Sequence, residues 1–557
     1  MTRRHILGAA AITAALFPAM MSAQAAPDAY SLSQTELRGT ARFMSMAGAF
    51  TALGGDLSTL NQNPAGIGIY RGSEVGFTLD INMLSTRSSG MPLSSSESKT
   101  HVDVNNIGYI GTMNTGNDVM PTFSWGISYG RQKSFERVYR GGGIPLQTSL
   151  SNYIAQITTG TNADDMNFYD GDDDHRPYNP YQDSRIKWLS ILGYNAGIIN
   201  PLYGYDSESD TYYPNGNFDG LFRYEPVNGF DSENKPYTIP ATTGTADFLV
   251  RQRGYVDEYS IDFGGNIMNT LYWGAALGIT DIDLEQSATY VETLQNAQVP
   301  NKEMNDIVNG DGDFQLDNWK KMTGTGINVK FGLILKPVNE LRIGFAIHSP
   351  TYYSMRTSYN AELAFGASSG FSTLQYTDDA HYDWNFKTPW RMMFGLAGVI
   401  GGRGILSVDY EYQAMNQMTS HDDFYDYTDD IKAYYKPVNT LRLGGEFRVT
   451  PQFSIRAGYS YSSTGVKDDV RNDLLEVVTS GCNPAYETVN TTSNITAGIG
   501  YRTGGFYFDF AYVHTHRTAE YHCFTPFTEY DGYWEPAPTA KLTDNNNRLV
   551  FSIGYKF

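Results

Sequence analysis

Cysteine is nearly absent: two residues in 557, which excludes a disulfide-rich scaffold and a Cys-rich metal fold. Basic residues are also short. Forty Lys and Arg against 60 Asp and Glu leave a formal net charge of -20, which excludes the basic footprint of a nucleic-acid binder. Past residue 25 there is no apolar stretch of the about 20 residues that a membrane helix needs. Mean hydropathy is -0.38, and by that measure alone the chain would pass for a secreted soluble protein. There is no convincing Ser/His pair, so neither enzyme chemistry nor a cofactor is expected.

Tyrosine and glycine are plentiful instead, 41 and 56 residues, and aromatics reach 14%. This suits many aromatic-rich strands joined by tight turns. The pattern is plainest at 547–557, NRLVFSIGYKF. Leu549, Phe551, Ile553, Tyr555 and Phe557 point one way, and Arg548, Val550, Ser552, Gly554 and Lys556 the other. A strand that is greasy on one face and polar on the other, ending on an aromatic residue, fits a barrel with lipid outside and a wet lumen inside. The terminal Phe also resembles the signal by which barrel-assembly machinery takes up outer-membrane barrels.

Fourteen strands are predicted, near 73–83, 102–113, 121–133, 254–268, 271–292, 321–336, 341–360, 382–400, 404–420, 435–449, 453–464, 491–503, 505–519 and 547–557. Connections alternate short and long. The long ones, expected as external loops, are 84–101, 134–253, 293–320, 361–381, 421–434, 465–490 and 520–546. Charges cannot face lipid cheaply, so Lys330, Arg342, Asp409, Glu411, Arg442, Glu446, Arg448 and Arg456 are expected to line the lumen. The fold class is therefore all-β: a transmembrane antiparallel barrel of about fourteen strands, 73–557, with a large extracellular insertion at 134–253. In that insertion Ile144 to Ile157 is one apolar cluster, and Ile186 to Leu202, the other, predicts an amphipathic helix.

At the other end, Arg3, Arg4 and His5, an Ala-rich apolar run and Ala23-Gln24-Ala25 predict a signal peptide over 1–25, with the mature chain starting at Ala26. Residues 26–72 precede the first strand. Gly39 to Gly55 is small-residue-rich and helix-compatible, and Asn61-Gln62-Asn63-Pro64-Ala65-Gly66 follows. Such a segment needs somewhere to bury, and a barrel of this size has a lumen to fill. It is expected to be a small, helical plug. Asn63, Pro64 and Ala65 are its candidate gating element, because Pro64 restricts its own φ and biases Asn63 away from helix. Phe43, Met44, Met46, Phe50 and Leu53 are candidate ligand-lining residues, ordinary packing being the alternative.

The run from Gly39 to Gly66, Gly-Ala-Phe, Gly-Gly-Asp and Asn-Pro-Ala-Gly ahead of a first strand, resembles the FadL/TodX family of outer-membrane transporters for hydrophobic compounds. Ile347-His348-Ser349-Pro350-Thr351 and Lys387-Thr388-Pro389-Trp390-Arg391 resemble stretches of Bacteroidetes-type members. The resemblance implies a monomer in a Gram-negative outer membrane, in contact with its lipid and lipopolysaccharide. It implies uptake of a hydrophobic, long-chain fatty acid-like ligand by diffusion through the plugged barrel, with sideways release into the membrane. The insertion at 134–253 departs from the plainer family pattern. A general porin, or a surface adhesin or receptor including one for haem uptake, is the alternative. The plug is too short for a TonB-dependent transporter.

Cys482 and Cys523 fall in predicted outer loops, where they either pair in an oxidising compartment or stand as two thiols. His514, His516, His522 and Cys523 lie close in sequence, but solvated residues are expected there rather than a metal site. Asn309 to Asp313 resembles part of a calcium loop with the distal Glu misplaced, so no metal is expected.

Overall fold

A computed structural model describes residues 26–171, 176–206, 211–230, 234–421, 426–528 and 534–557. The signal peptide expected over 1–25 lies outside the described residues.

Fourteen strands form the wall. They are β1 (Glu74–Ser89), β2 (Ser95–Asn114), β3 (Thr122–Ser134), β4 (Thr243–Ile267), β5 (Leu271–Pro300), β6 (Ile307–Val338) and β7 (Leu341–His348, resuming as Tyr352–Ala367). Then come β8 (Ala380–Lys387, resuming as Arg391–Ile400), β9 (Gly404–Gln413, with a short continuation Thr419–His421), β10 (Val438–Arg448), β11 (Phe453–Ser462), β12 (Tyr486–Thr503), β13 (Phe506–His522) and β14 (Thr539–Lys556). Each pairs antiparallel with the next, and β1 closes on β14 from Glu74↔Lys556 to Ser89↔Lys541. Closure leaves no sheet edge, which a bilayer demands. Beside the chain end, Ser73 N–H donates to the Phe557 carbonyl at 2.8 Å.

The alternation along each strand maps onto two solvents. Phe551, Ile553 and Tyr555 are exposed on the outside, together with Phe506 and Phe508, Ile455 and Tyr459, Leu441 and Leu443, Phe394 and Leu396, Ile327 and Val329, and Trp125 and Ile127. The belt they make is about four alternating residues tall, the height a bilayer takes from a tilted strand of about 9–11 residues.

β5 and β6 run 30 and 32 residues, far past that belt. The loops expected at 84–101 and 293–320 are thus largely hairpins whose turns are only 90–94 and 301–306. Above the belt outward positions become polar, as at Asp281, Asp283 and Glu285, while the backbone ladder continues. The lipid-facing signal stops there; the strand does not.

The insertion is built, not bare. Arg137–Pro145 pairs with β4, and two short helices follow, α4 (Leu150–Thr158) and α5 (Trp188–Asn195). The helix expected across Ile186 to Leu202 is therefore only eight residues long. Ile154, Leu189, Ile191, Leu192, Ile198 and Ile199 join Phe248, Tyr290, Phe314, Tyr521 and Phe524 in one apolar cluster. Cys482 and Cys523, both in connections between strands, belong to it as buried free thiols.

Candidate functional site

Glycine shapes the lumen at belt height. A Cβ on Gly274 of β5 would lie 2.2 Å from the Pro64 carbonyl oxygen, and one on Gly344 of β7 2.2 Å from the Thr51 carbonyl oxygen. Gly332 would meet the Asn63 side chain, Gly444 and Gly458 the backbone at Met46, and Gly264 the Ile67 side chain. Successive strands thus offer bare backbone inward at one level, and residues 41–69 pack directly on it. Three short helical pieces do so: α2 (Ala41–Ser45), α3 (Thr59–Gln62) and a 3₁₀ turn at Pro64–Ile69.

Asn63 organises the last of these. Its side-chain oxygen accepts from Ala65 N–H at 3.1 Å, capping the turn, and its amide donates to the Thr51 carbonyl at 2.6 Å. Pro64 stands in the turn's first position, where a missing N–H costs nothing. Asn63, Pro64 and Ala65 are all buried.

Wall side chains hold the same segment by its carbonyls. Arg342 donates to Leu53 at 2.7 Å and Lys330 to Asn61 at 3.3 Å, while His348 Nε2 lies 2.8 Å from the Gln62 carbonyl oxygen. Asp409 accepts from Thr51 N–H at 2.7 Å. Arg42 pairs with Glu446 at 2.9 Å, and Arg456 bridges Glu446 and Asp509, each at 2.6 Å. Arg391 and Arg442 share Glu411. Of the charges expected in the lumen, Arg448 alone is exposed to solvent.

A second network sits higher. Arg38 reaches Glu36 at 2.9 Å, Asp103 at 3.0 Å and Asp80 at 3.4 Å, and Arg131 joins Asp103 to Asp257. Desolvation works against the Glu36 carboxylate, but the Arg38 and Arg548 guanidiniums outweigh it and hold its pKa below the ordinary value.

Above 41–69 is a cavity of about 330 Å³. Its floor and one side come from α1 (Ala26–Ser33) and the chain after it, through Tyr30, Leu37 and Phe43. Leu84, Leu284 and Met415 add apolar surface; Arg131, Lys133, Arg517 and Arg548 add cationic surface; Tyr139 and Tyr521 belong to the apolar cluster above. Of the five residues expected to line a pocket, Phe43 does so. Met44, Met46, Phe50 and Leu53 pack with Ala397, Ala511, Val513 and Val550 between the lumen segment and the wall. Arg38, Arg131 and Lys133 went unforeseen, because isolated basic residues, one in the stretch between α1 and α2 and two near the end of β3, carry no sequence pattern.

The wall beside the cavity is interrupted twice. The β2–β3 ladder stops at Asn106↔Gly130. Beyond it, among the described residues, side-chain contacts and one bridge span the gap: Asp103–Arg131 at 2.6 Å, His101···Ser134 at 3.3 Å, Lys99–Glu136 at 2.5 Å, Glu97–Arg140 at 2.6 Å, Ser95 Oγ to the Arg140 carbonyl at 2.6 Å, then Leu93↔Gly142. On the other side, β7 breaks at 349–351, β8 at 388–390 and β9 at 414–418, where prolines 350 and 389 lack an N–H.

A closed fourteen-stranded barrel, with a lipid-facing apolar belt and a segment of its own chain packed inside the lumen, is a barrel of the Gram-negative outer membrane. Solved structures to which it is similar include a Pseudomonas aeruginosa FadL homologue, at 12% identity and TM-score 0.49, covering 94% of this chain and 99% of that one. The Pseudomonas putida toluene transporter TodX (12%, 0.45, 94% and 100%) and the Ralstonia pickettii toluene transporter TbuX (12%, 0.42, 94% and 99%) are others. No protein-family model and no curated protein matches the chain.

Proposed function

We propose that the protein takes up hydrophobic small molecules, long-chain fatty acid-like, by diffusion through the plugged barrel and sideways release into the outer membrane. The single observation that carries this reading is the placing of the cavity. It lies between the packed lumen segment below and the apolar cluster above, and opens against a stretch of wall that has lost its backbone ladder. A water-filled porin has no use for such an arrangement. An apolar solute does, because a sideways path keeps the roughly 0.8 kcal/mol per buried CH₂ that a periplasmic exit would forfeit.

The cavity also suits a polar head. Lys133 Nζ donates to the Ser31 carbonyl at 2.5 Å and has no ion-pair partner among the described residues, which leaves it able to meet a carboxylate. Residues 26–72 act as the plug, with Asn63, Pro64 and Ala65 as the element whose movement opens it.

Uptake of labelled oleate by cells lacking the chain, rescued by wild type, tests the proposal. Lys99→Cys with Glu136→Cys, joined by a reducible bifunctional thiol cross-linker, ties the two sides of the β2–β3 gap; the cross-link should lower uptake and a reductant should restore it. Haem uptake in place of oleate would keep the mechanism and change the ligand. If neither label depends on the protein, the transport reading falls.

A further inference from the structure

The second interruption of the wall has a feature the first lacks. On its lipid side lies an apolar dent lined by Ile347, Trp390, Met392, Tyr412, Ala414 and Gln417. On its lumen side, Arg391, Gln413 and Met415 line the cavity. The two sets are chain neighbours: 390 and 391, 412 and 413, 414 and 415. One thickness of backbone separates cavity from bilayer here.

That backbone is poorly tied. β8 and β9 pair from Ile400↔Gly404 up to Arg391↔Gln413, and again from Lys387↔Thr419. Between these, residues 414–418 face 388–390, two more residues on one strand than on its partner. One backbone bond crosses, Ala414 N–H to the Trp390 carbonyl at 3.2 Å. Pro389 has no N–H to offer a second. A 3₁₀ turn at Met415–Gln417 takes up the excess. The side chains at the break are soft: Met392 outside, with Met415 and Met418 packed inward against the cluster of Trp384 and Phe386. No ion pair joins 388–390 to 414–418 among the described residues, whereas three salt bridges cross the β2–β3 gap.

We infer that the β8–β9 break is a second lateral port between the lumen cavity and the membrane, its lipid-side dent occupied by an acyl chain of the outer leaflet until a ligand displaces it. The occupant follows from position: the dent is continuous with the apolar belt through Ile347, Met392 and Tyr412, so only lipid chains reach it. The inference rests on the uptake reading above. Between 388–390 and 414–418 themselves no charged pair has to be parted; the Arg391–Glu411 pair, at 2.9 Å, ties β8 to β9 only at the lumen edge of the break.

Locks on the two interruptions, singly and together, test it, in a background with Cys482 and Cys523 both changed to Ala. Trp390→Cys with Ala414→Cys joins positions next in register, whose Cα atoms in such a pair sit about 5.5 Å apart, within disulfide range. Ala414→Phe fills the dent without a cross-link. Heat-modifiable migration on a gel certifies each folded barrel. With the β2–β3 gap locked, oleate uptake should persist at a reduced level. Locking or filling the β8–β9 break as well should bring it down to that of cells lacking the protein, and reduction should restore the cross-linked form. If the β2–β3 lock alone abolishes uptake, or if the β8–β9 variants leave uptake unchanged in the locked background, the second port is wrong and the transporter stands. If wild type gives no protein-dependent uptake, the transport reading itself has failed.

Discussion

The same fourteen strands are filled in two different ways at two heights. At belt level, glycines let the backbone of 41–69 lie against the backbone of the wall, and charged side chains fasten its carbonyls. In the extension beyond the belt, helices α4 and α5 bury ordinary apolar side chains among aromatic ones. The first arrangement tolerates no added atom, because its contacts are between parts that cannot change rotamer. The second is a side-chain core that relaxes around a missing methyl group at a graded cost.

The largest effect should come from adding bulk to the glycine level. Gly274→Leu places atoms where the Pro64 carbonyl stands, so the lumen segment cannot seat. Planar-bilayer recording should show a steady ion conductance that wild type lacks; an unchanged, silent barrel would mean the segment is not held where its contacts put it. Next is Arg38→Ala. It strips the charge shared by Asp80 and Asp103, both buried; Asp103 keeps Arg131 and Asp80 keeps Arg548 at 3.9 Å, so the cost should stay below the about 3–5 kcal/mol of a fully orphaned buried partner. Hydrogen exchange over 34–40 should rise, with the barrel's own strands unaffected.

The upper region should respond more mildly and locally. Ile191→Ala, in the apolar cluster, should cost about 2–5 kcal/mol, release α4 and α5 to protease and leave conductance silent. A leak in that variant would show that the cluster, not 41–69, seals the barrel. The smallest effect is on pH. Arg38 and Arg548 depress the Glu36 pKa, so Glu36 adds stability above its unfolded-state value of about 4.3 and loses it as pH falls through the lower folded value. Exchange at 34–40 should therefore rise below that unfolded-state value, and Glu36→Gln should remove this part of the pH dependence.

Much of the wall was legible from period-two alternation, because lipid and lumen impose opposite demands on neighbouring residues. Trp125 against Gly126 and Phe551 against Ser552 show this directly. The upper strands were read short, the sixth from 321 rather than from Ile307, since Asp311, Asp313 and Gln315 face water and carry no lipid signal. Phe43 and Met46 look alike in sequence, yet the first borders the cavity and the second is wedged against Gly444 and Gly458. Nothing local separates them.

By itself the sequence determined the barrel, its strand number, the outward faces and the Asn63-Pro64 turn, since these depend on alternation and on dihedral preferences within a few residues. Only the tertiary structure decided which glycines meet the lumen segment, which arginines share which carboxylates, and where the wall comes apart. Each of those depends on residues tens to hundreds of positions apart meeting across a closed lumen. Closure sets their register through the whole ring of strands at once, and no stretch of sequence encodes it alone.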